Sequence, residues 1–313
     1  MRILVYGAGV LGANLAASLH SAGKAVTLLA RGKWASIIRE NGLVIKESLT
    51  FRKTITHIPV IEALMPDDYY DAIFVVLRYT QLGSIIDILN MNKSRNIIFV
   101  GNNAKPELYA SMLPDKNCMF AFTSAAGHRE QDRVVSMNMK KIVIGDIKGH
   151  RLNESLINSI FHRSGYRVAY EDHMESYLLS HATYVLPIVF ACYKADGNLR
   201  KLRNDKKYLN RIIDANIEGY RAIEKAGYMI RPASDSNYES EDYRRLCYRF
   251  LRLLCTFKGL GRICAADHAM NAVDEMRALN RDIKEIFDQA GAEYSIWKSL
   301  EEAAGAYIKK EQK

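Results

Sequence analysis

The chain has 313 residues, a formal net charge of +9, 49% apolar residues and 25% charged residues. That length can hold two domains with sizeable cores, and the composition is that of an ordinary globular protein, not of a disordered, collagen-like or repeat-built one. The basic residues are scattered, and the densest cluster, Arg200-Lys201 through Lys206-Lys207 and Arg211, is interrupted by Asp205. This reads as a solvated helix end and not as a nucleic-acid stripe, while the excess of positive charge suits attraction of small anions.

In chain order, Arg2–Tyr6 is a short apolar run stopped by Gly7 and predicts a buried parallel strand. Val10–Ala22 carries apolar residues at helical spacing up to Gly23, and Ala25–Leu29 is the next strand, so the first thirty residues read as a βαβ unit. Residues 1–18 are apolar enough to mimic a secretory segment, yet hold three glycines at phosphate-loop spacing and show no cleavage site. Alternating pieces between Leu43 and Val60 predict edge strands. Ala72–Leu77 and Asn96–Val100 predict strands on either side of a helical stretch, Leu82–Leu89. From Cys118 to Ile147 strand and turn signals dominate, clearest at Arg133–Ser136 and Lys141–Gly145, and Arg167–Tyr170 closes the strand-rich part. Helices are predicted at Tyr177–Tyr193, Asn210–Ala226, Tyr243–Phe257, Ala265–Ala290 and Ser295–Lys309. The expected fold is therefore α/β: an N-terminal Rossmann dinucleotide-binding domain, residues 1–172, followed by an all-helical C-terminal domain, residues 173–313.

The loop Gly7-Ala8-Gly9-Val10-Leu11-Gly12 follows a predicted strand and opens a predicted helix, the context that gives GxGxxG its meaning. Gly7 permits the turn, Gly9 lets the backbone approach a pyrophosphate, and Gly12 allows helix and strand to pack closely. The amides of Val10, Leu11 and Gly12 then lie at a helix N-terminus, which favours phosphate. Enzymes selective for NAD commonly place a carboxylate after the second strand for the ribose 2′-hydroxyl. Here the segment is Ala30-Arg31-Gly32-Lys33, and Arg31 suits a 2′-phosphate, so the expected cofactor is NADP.

Five cysteines, widely spaced and without a CxxC, indicate neither a disulfide framework nor zinc. Cys264 and His268 lie four apart but make a poor metal site as a lone pair, so no metal is expected. A reducing, cytoplasmic setting fits best. No apolar run is read as reaching transmembrane length, and no membrane or nucleic-acid partner is expected.

With the glycine loop, Arg31 and the α/β-then-helical order in hand, the chain resembles the ketopantoate reductase (2-dehydropantoate 2-reductase) family over nearly its whole length. Leu77-Arg78-Tyr79-Thr80-Gln81 is similar to the family's Lys-x-x-Gln, so the resemblance gives Arg78 a cofactor phosphate and makes Gln81 the matching glutamine. Val100-Gly101-Asn102-Asn103 resembles the family's His-Asn-Gly and puts Asn102 between nicotinamide and substrate. Thr123–His128 and Ile142–Gly145 look like its later hairpins. Leu186-Pro187 followed by Gly197-Asn198-Leu199 resembles its Asn-Pro and Asn-Gly-x-Leu, and Glu275, sixteen residues before Gly291, resembles its substrate-site glutamate. The resemblance implies NADPH-dependent reduction of ketopantoate to pantoate, a step of pantothenate biosynthesis, with a small anionic keto acid as substrate and a homodimer as an allowed assembly.

The sequence departs from the family where the proton is handled. Counting back from Pro187 puts Leu178 at the position of the family's catalytic lysine, and Ala182 and Leu186 at those of its assisting asparagines. A one-residue slip presents Tyr177 and His181 on one helical face instead. His181 is then the candidate proton donor, because an ordinary histidine titrates near neutrality. The count to the family's substrate serine lands on Ile263, with Asp267 and His268 as polar neighbours. Three readings stay open: an NADPH-dependent 2-keto acid reductase with a changed acid; an NADP(H)-binding family member without chemistry, acting as a sensor or partner; and a dehydrogenase of hydroxyacyl or opine type, which would need a carboxylate near Arg31.

Overall fold

Apolar runs that end in glycine or polar turns build one sheet in the first half of the chain. The computed structural model describes residues 1–147 and 153–309, and the chain divides into two units, Met1–Met174 and Glu175–Lys313. Unit 1 runs β1 (Arg2–Tyr6), α1 (Val10–Ser21), β2 (Ala25–Leu29), α2 (Gly32–Asn41), β3 (Leu43–Glu47), β4 (Lys53–Thr56), β5 (Val60–Ile61), β6 (Ala72–Val75), α3 (Ile86–Met91), β7 (Asn96–Val100), α4 (Pro106–Ser111), β8 (Asn117–Arg129), β9 (Val134–Gly145), α5 (Glu154–Phe161) and β10 (Arg167–Tyr170).

Among the described residues the ten strands form one sheet in the order β4-β3-β9-β8-β7-β6-β1-β2-β5, with β10 also on β9. Strand β1 lies parallel between β2 and β6, with Tyr6 level with Leu29 on one side and Val75 on the other. From β1 the chain goes to β2 on one side, and after β3 and β4 at the far end and β5 beside β2 it takes β6, β7 and β8 in turn on the other side. The strand order therefore reverses at β1, and such a switch point, at the carboxyl ends of the strands, is where open α/β sheets bind ligands. Burial follows: Ile3, Leu4, Val5 and the whole of Ala72–Val75 are in the core. Helix α1 packs on β1 and β2 and also on β8, β9 and β3. Asn14 anchors it there, donating from Nδ2 to Ser136 Oγ at 3.0 Å in a buried setting.

The sequence reading needs correction in three places here. Strands β4 and β5 are edges as expected, but β3 is interior, between β4 and β9. Alternation along a strand reports which face is buried, not which strands flank it. The two pieces Arg133–Ser136 and Lys141–Gly145 belong to one strand, β9, whose antiparallel partner β8 absorbs a register shift between Thr123 and Ala125. Helix Leu82–Leu89 is instead a 3₁₀ segment, Tyr79–Ile85, followed by the short α3.

Unit 2 is helical: α6 (Met174–Lys194), α7 (Lys206–Lys225), α8 (Glu241–Thr256), α9 (Lys258–Gly261), a π-helical turn at Arg262–Ala266, α10 (Asp267–Asn271), α11 (Val273–Gln289), α12 (Ser295–Ala303) and α13 (Ala306–Lys309). Its core centres on Trp297, fully buried, edge-on to Phe190 at 5.7 Å and to Phe287 at 5.3 Å. The indole donates to Asn280 Oδ1 at 3.0 Å, so its one polar atom is satisfied. Gly219 lets α7 approach closely, since a Cβ there would lie 2.4 Å from Thr183 Cγ2.

The expected single helix Ala265–Ala290 is broken. Ala272 leaves helical geometry at φ −128°, ψ 39°, which separates α10 from α11. The apolar spacing runs on across the break with neither Gly nor Pro to mark it. A second correction concerns apolar length. Helix α6, at 21 residues, is long and apolar enough by composition to cross a membrane, contrary to expectation, but 78% of its most apolar stretch is buried within the structure. It reads as a core helix.

Candidate functional site

Unit 1 gathers one set of the expected residues around the carboxyl end of β1. Gly7 has φ +120°, in the region that favours glycine, and a Cβ on it would lie 2.3 Å from the Val76 carbonyl oxygen. A Cβ on Gly12 would lie 1.9 Å from the Gly7 carbonyl oxygen, so α1 can start this close to β1 only with glycine there. Gly9 differs: a Cβ on it would meet nothing within 4 Å. The space beside Gly9 faces the start of α1, where the first amide bonded within the helix is that of Ala13, to Gly9 O at 2.9 Å. The amides of Val10, Leu11 and Gly12 are thus the unsatisfied donors of a helix N-terminus. No acidic residue occupies that first turn. An open cradle beside a glycine, with outward amides and no carboxylate, fits a dinucleotide pyrophosphate.

The flanking cations stand at the ends of the neighbouring strands. Arg31 follows β2 by two residues, is exposed, and donates from Nη2 to Tyr6 Oη at 2.7 Å, with its guanidinium 5.9 Å from that ring's centroid. The buried Tyr6 therefore steers Arg31 toward the end of β1, with further N–H groups left for a ligand. Trp34, on the first turn of α2, donates from Nε1 to Ala8 O at 2.9 Å and ties α2 to the phosphate loop. On the other side, Arg78 follows β6 and is exposed, and its backbone amide donates to Gln81 Oε1 at 3.2 Å. Gln81 thus shapes the turn that presents Arg78. Asn102 follows β7, one strand further on, after Gly101 at φ +130°. The next residue, Asn103, is buried and accepts the Lys105 amide at 2.9 Å, which fixes the turn.

The segment Ala30–Lys33 holds no carboxylate of its own, yet the fold brings one beside Arg31 at Gly32. Glu62, just past β5, accepts the Gly32 amide at 3.1 Å and the Arg39 guanidinium at 2.8 Å. The hydrogen bond from Arg39, and then that from Gly32, hold its carboxyl below the usual carboxylate range. Thirty residues separate Glu62 from Gly32, and only the β2–β5 pairing brings them together.

Unit 2 gathers the second set. On α6, Leu178, Ala182 and Leu186 are buried, whereas Tyr177 and His181 lie on a half-buried flank. Burial, and after it the electrostatic influence of His268, lowers the His181 pKa to about 4. That corrects the expectation of a near-neutral proton donor: at physiological pH His181 is a neutral imidazole. Glu275 sits in the first turn of α11 and is buried, with Oε2 3.9 Å from His268 Nε2. The two residues lie on either side of the break at Ala272, His268 on the short α10 and Glu275 on α11. His268, a minor candidate in the sequence, thus stands beside Glu275 and within electrostatic reach of His181. In the sequence it stands out only as a polar neighbour of Ile263, and in the structure it follows a π-helical turn, a feature often found at functional sites. Among the described residues, no group of three or more His, Cys, Asp or Glu side chains could hold a metal ion.

Residues 3–149 match the family model described as ketopantoate reductase PanE/ApbA. No curated protein matches the chain. Among solved structures, 2-dehydropantoate 2-reductase from Geobacter metallireducens GS-15 is similar at TM-score 0.80 and 14% identity, covering 98% of this chain and 99% of that one. Dimeric ketopantoate reductase from Staphylococcus aureus is similar at TM-score 0.73 and 14% identity, over 98% and 99% of the two chains. D-mandelate dehydrogenase, in a ternary structure with NADH and anilino(oxo)acetate, is similar at TM-score 0.76 and 15% identity, over 98% of each chain.

Proposed function

The chain carries, over residues 3–149, the domain of the ketopantoate reductase family, and on that premise we propose that it is an NADPH-dependent reductase of a 2-keto acid. The observation that carries this reading is the open cradle at Gly9, at the switch point of the sheet and flanked by Arg31 and Arg78. Gly7, Gly9 and Gly12, with the amides of Val10, Leu11 and Gly12, take the pyrophosphate. Arg31 and Arg78 take the 2′-phosphate, Gln81 holds the Arg78 turn, and Asn102 faces the nicotinamide. Bound NADPH supplies a hydride to the carbonyl carbon.

The chain must then provide for the oxygen. Neutral His181 donates a hydrogen bond to it through a ring N–H, as a neutral imidazole can. His268, on the exposed side of the pair, supplies the proton, and Glu275 holds His268 in place and orients the substrate. The substrate is a small anion, and a net charge of +9 favours its approach. A cytoplasmic setting suits the five free cysteines. A homodimer belongs to the same reading: Leu246, Phe250 and Leu253 of α8, with Phe257 just after it, stand outward at 38–66% exposure as an apolar stripe.

The test is NADPH oxidation by the purified chain with ketopantoate and a panel of 2-keto acids. Turnover with at least one of them is expected, and His181→Ala should lower kcat/KM about a hundredfold. A second reading rests on the buried Leu178, Ala182 and Leu186. These stand where the family's lysine and asparagines are expected, and they would leave a cofactor-binding protein without chemistry. Tight NADPH binding with no oxidation across the whole panel would establish that reading in place of the first.

A further inference from the structure

The end of β2 in unit 1 holds two opposed instructions for an adenosine ribose. Arg31 is a cation suited to a 2′-phosphate. Glu62 is a carboxylate on the amide of the next residue, Gly32, and it comes from the neighbouring strand. The register puts it there: Leu28 pairs with Val60 and Leu29 with Ile61, and the Ala30 amide donates to Ile61 O at 3.0 Å. The next residue on β5's side is Glu62, which accepts the Gly32 amide at the start of α2. In Rossmann domains selective for NAD, the acidic residue that binds the ribose 2′-hydroxyl stands at the end of the second strand itself. Here the arginine has that place in the sequence, and the carboxylate reaches the same place in space.

We infer that Glu62 is a specificity-determining residue that restrains the preference for NADPH and admits NADH to the same site. The inference rests on the dinucleotide reading above. Three features of the structure argue for it. Glu62 accepts the Gly32 amide at the N-terminus of α2, a donor that an incoming 2′-phosphate would otherwise use. The amide it holds belongs to the residue after Arg31, so the carboxylate and a 2′-phosphate held by Arg31 would repel each other. Arg39 pairs with Glu62 at 2.8 Å, with both side chains nearly half exposed, and this contact holds the carboxylate at the helix start instead of letting it swing into solvent. Toward NADH the same group is an acceptor for the 2′-hydroxyl.

The experiment is equilibrium binding of NADPH and NADH, with 2′,5′-ADP and 5′-ADP as probes lacking the nicotinamide, to wild type, Glu62→Gln and Glu62→Ala. Glu62→Gln keeps an acceptor for the Gly32 amide and removes the charge, so it should tighten NADPH and 2′,5′-ADP about tenfold while leaving NADH and 5′-ADP within a factor of about two. The gain should shrink as salt rises, because it is a repulsion at the surface that is being removed. Glu62→Ala should move the NADPH-to-NADH ratio in the same direction. An unchanged ratio in both variants, or equal changes in all four ligands, overturns the inference and leaves the cofactor reading standing. Failure of wild type to bind either dinucleotide contradicts the cofactor reading, and the inference falls with it.

Discussion

A Cβ built on Gly12 would lie 1.9 Å from the Gly7 carbonyl oxygen, whereas one on Gly9 would meet nothing within 4 Å. The two glycines of one motif therefore answer to different demands, one to the fold and one to a ligand. Gly12→Ala should cost about 3 kcal/mol or more in unfolding free energy, because backbone on both sides must move. Gly9→Ala should stay within about 0.5 kcal/mol of wild type. Its methyl group fills the cradle, and NADPH affinity should drop at least about tenfold. Chemical denaturation and ligand titration on both variants check this, and a Gly9→Ala protein that binds NADPH like wild type would remove the cradle from the account. Single residues were legible in the sequence where their role is local. Gly7, Gly9 and Gly12 announce themselves by spacing, and Arg31 by its distance from the loop. Glu62 was not legible, because strand pairing alone carries it to Gly32.

Helices and strands were legible in type but not in their interruptions. Asn96–Val100 and Arg167–Tyr170 coincide with β7 and β10, since short β-branched or apolar runs bounded by polar turns leave little choice. The break at Ala272 went unseen because nothing in its chemistry differs from a helix interior, and with it went the meeting of His268 and Glu275. Helix α6 shows what burial does to a residue whose sequence context reads as ordinary. The folded pKa of His181, about 4, lies below its value of 6.5 in an open chain. Between those pH values the unfolded chain binds a proton that the folded chain does not, so stability rises with pH there. The contribution is fully present above about pH 6.5 and is lost as pH falls toward about 4. Unfolding free energy measured across this window should therefore decline on acidification, and His181→Gln should flatten the slope by close to one proton. An identical slope in wild type and variant would mean that His181 titrates normally in the fold.

For the whole molecule, the residues of the proposed function fall in both units. Unit 1 presents the open glycine cradle with Arg31 and Arg78 on the two sides of β1, and unit 2 presents His181, His268 and Glu275. The N-terminal half was the more legible, because a βαβ unit encodes its binding loop within some thirty residues. The candidate residues of the helical half stand on α6, α10 and α11, three separate helices whose packing no local spacing records. The central claim is that the chain holds a dinucleotide with a 2′-phosphate. Equilibrium titration of the full chain with NADPH and NADH, for wild type and Arg31→Ala, tests it most directly. Wild type should bind NADPH more tightly than NADH, and Arg31→Ala should lose about tenfold in NADPH affinity with NADH little changed. Equal affinity of wild type for the two, or a loss in Arg31→Ala shared equally by both, would contradict it.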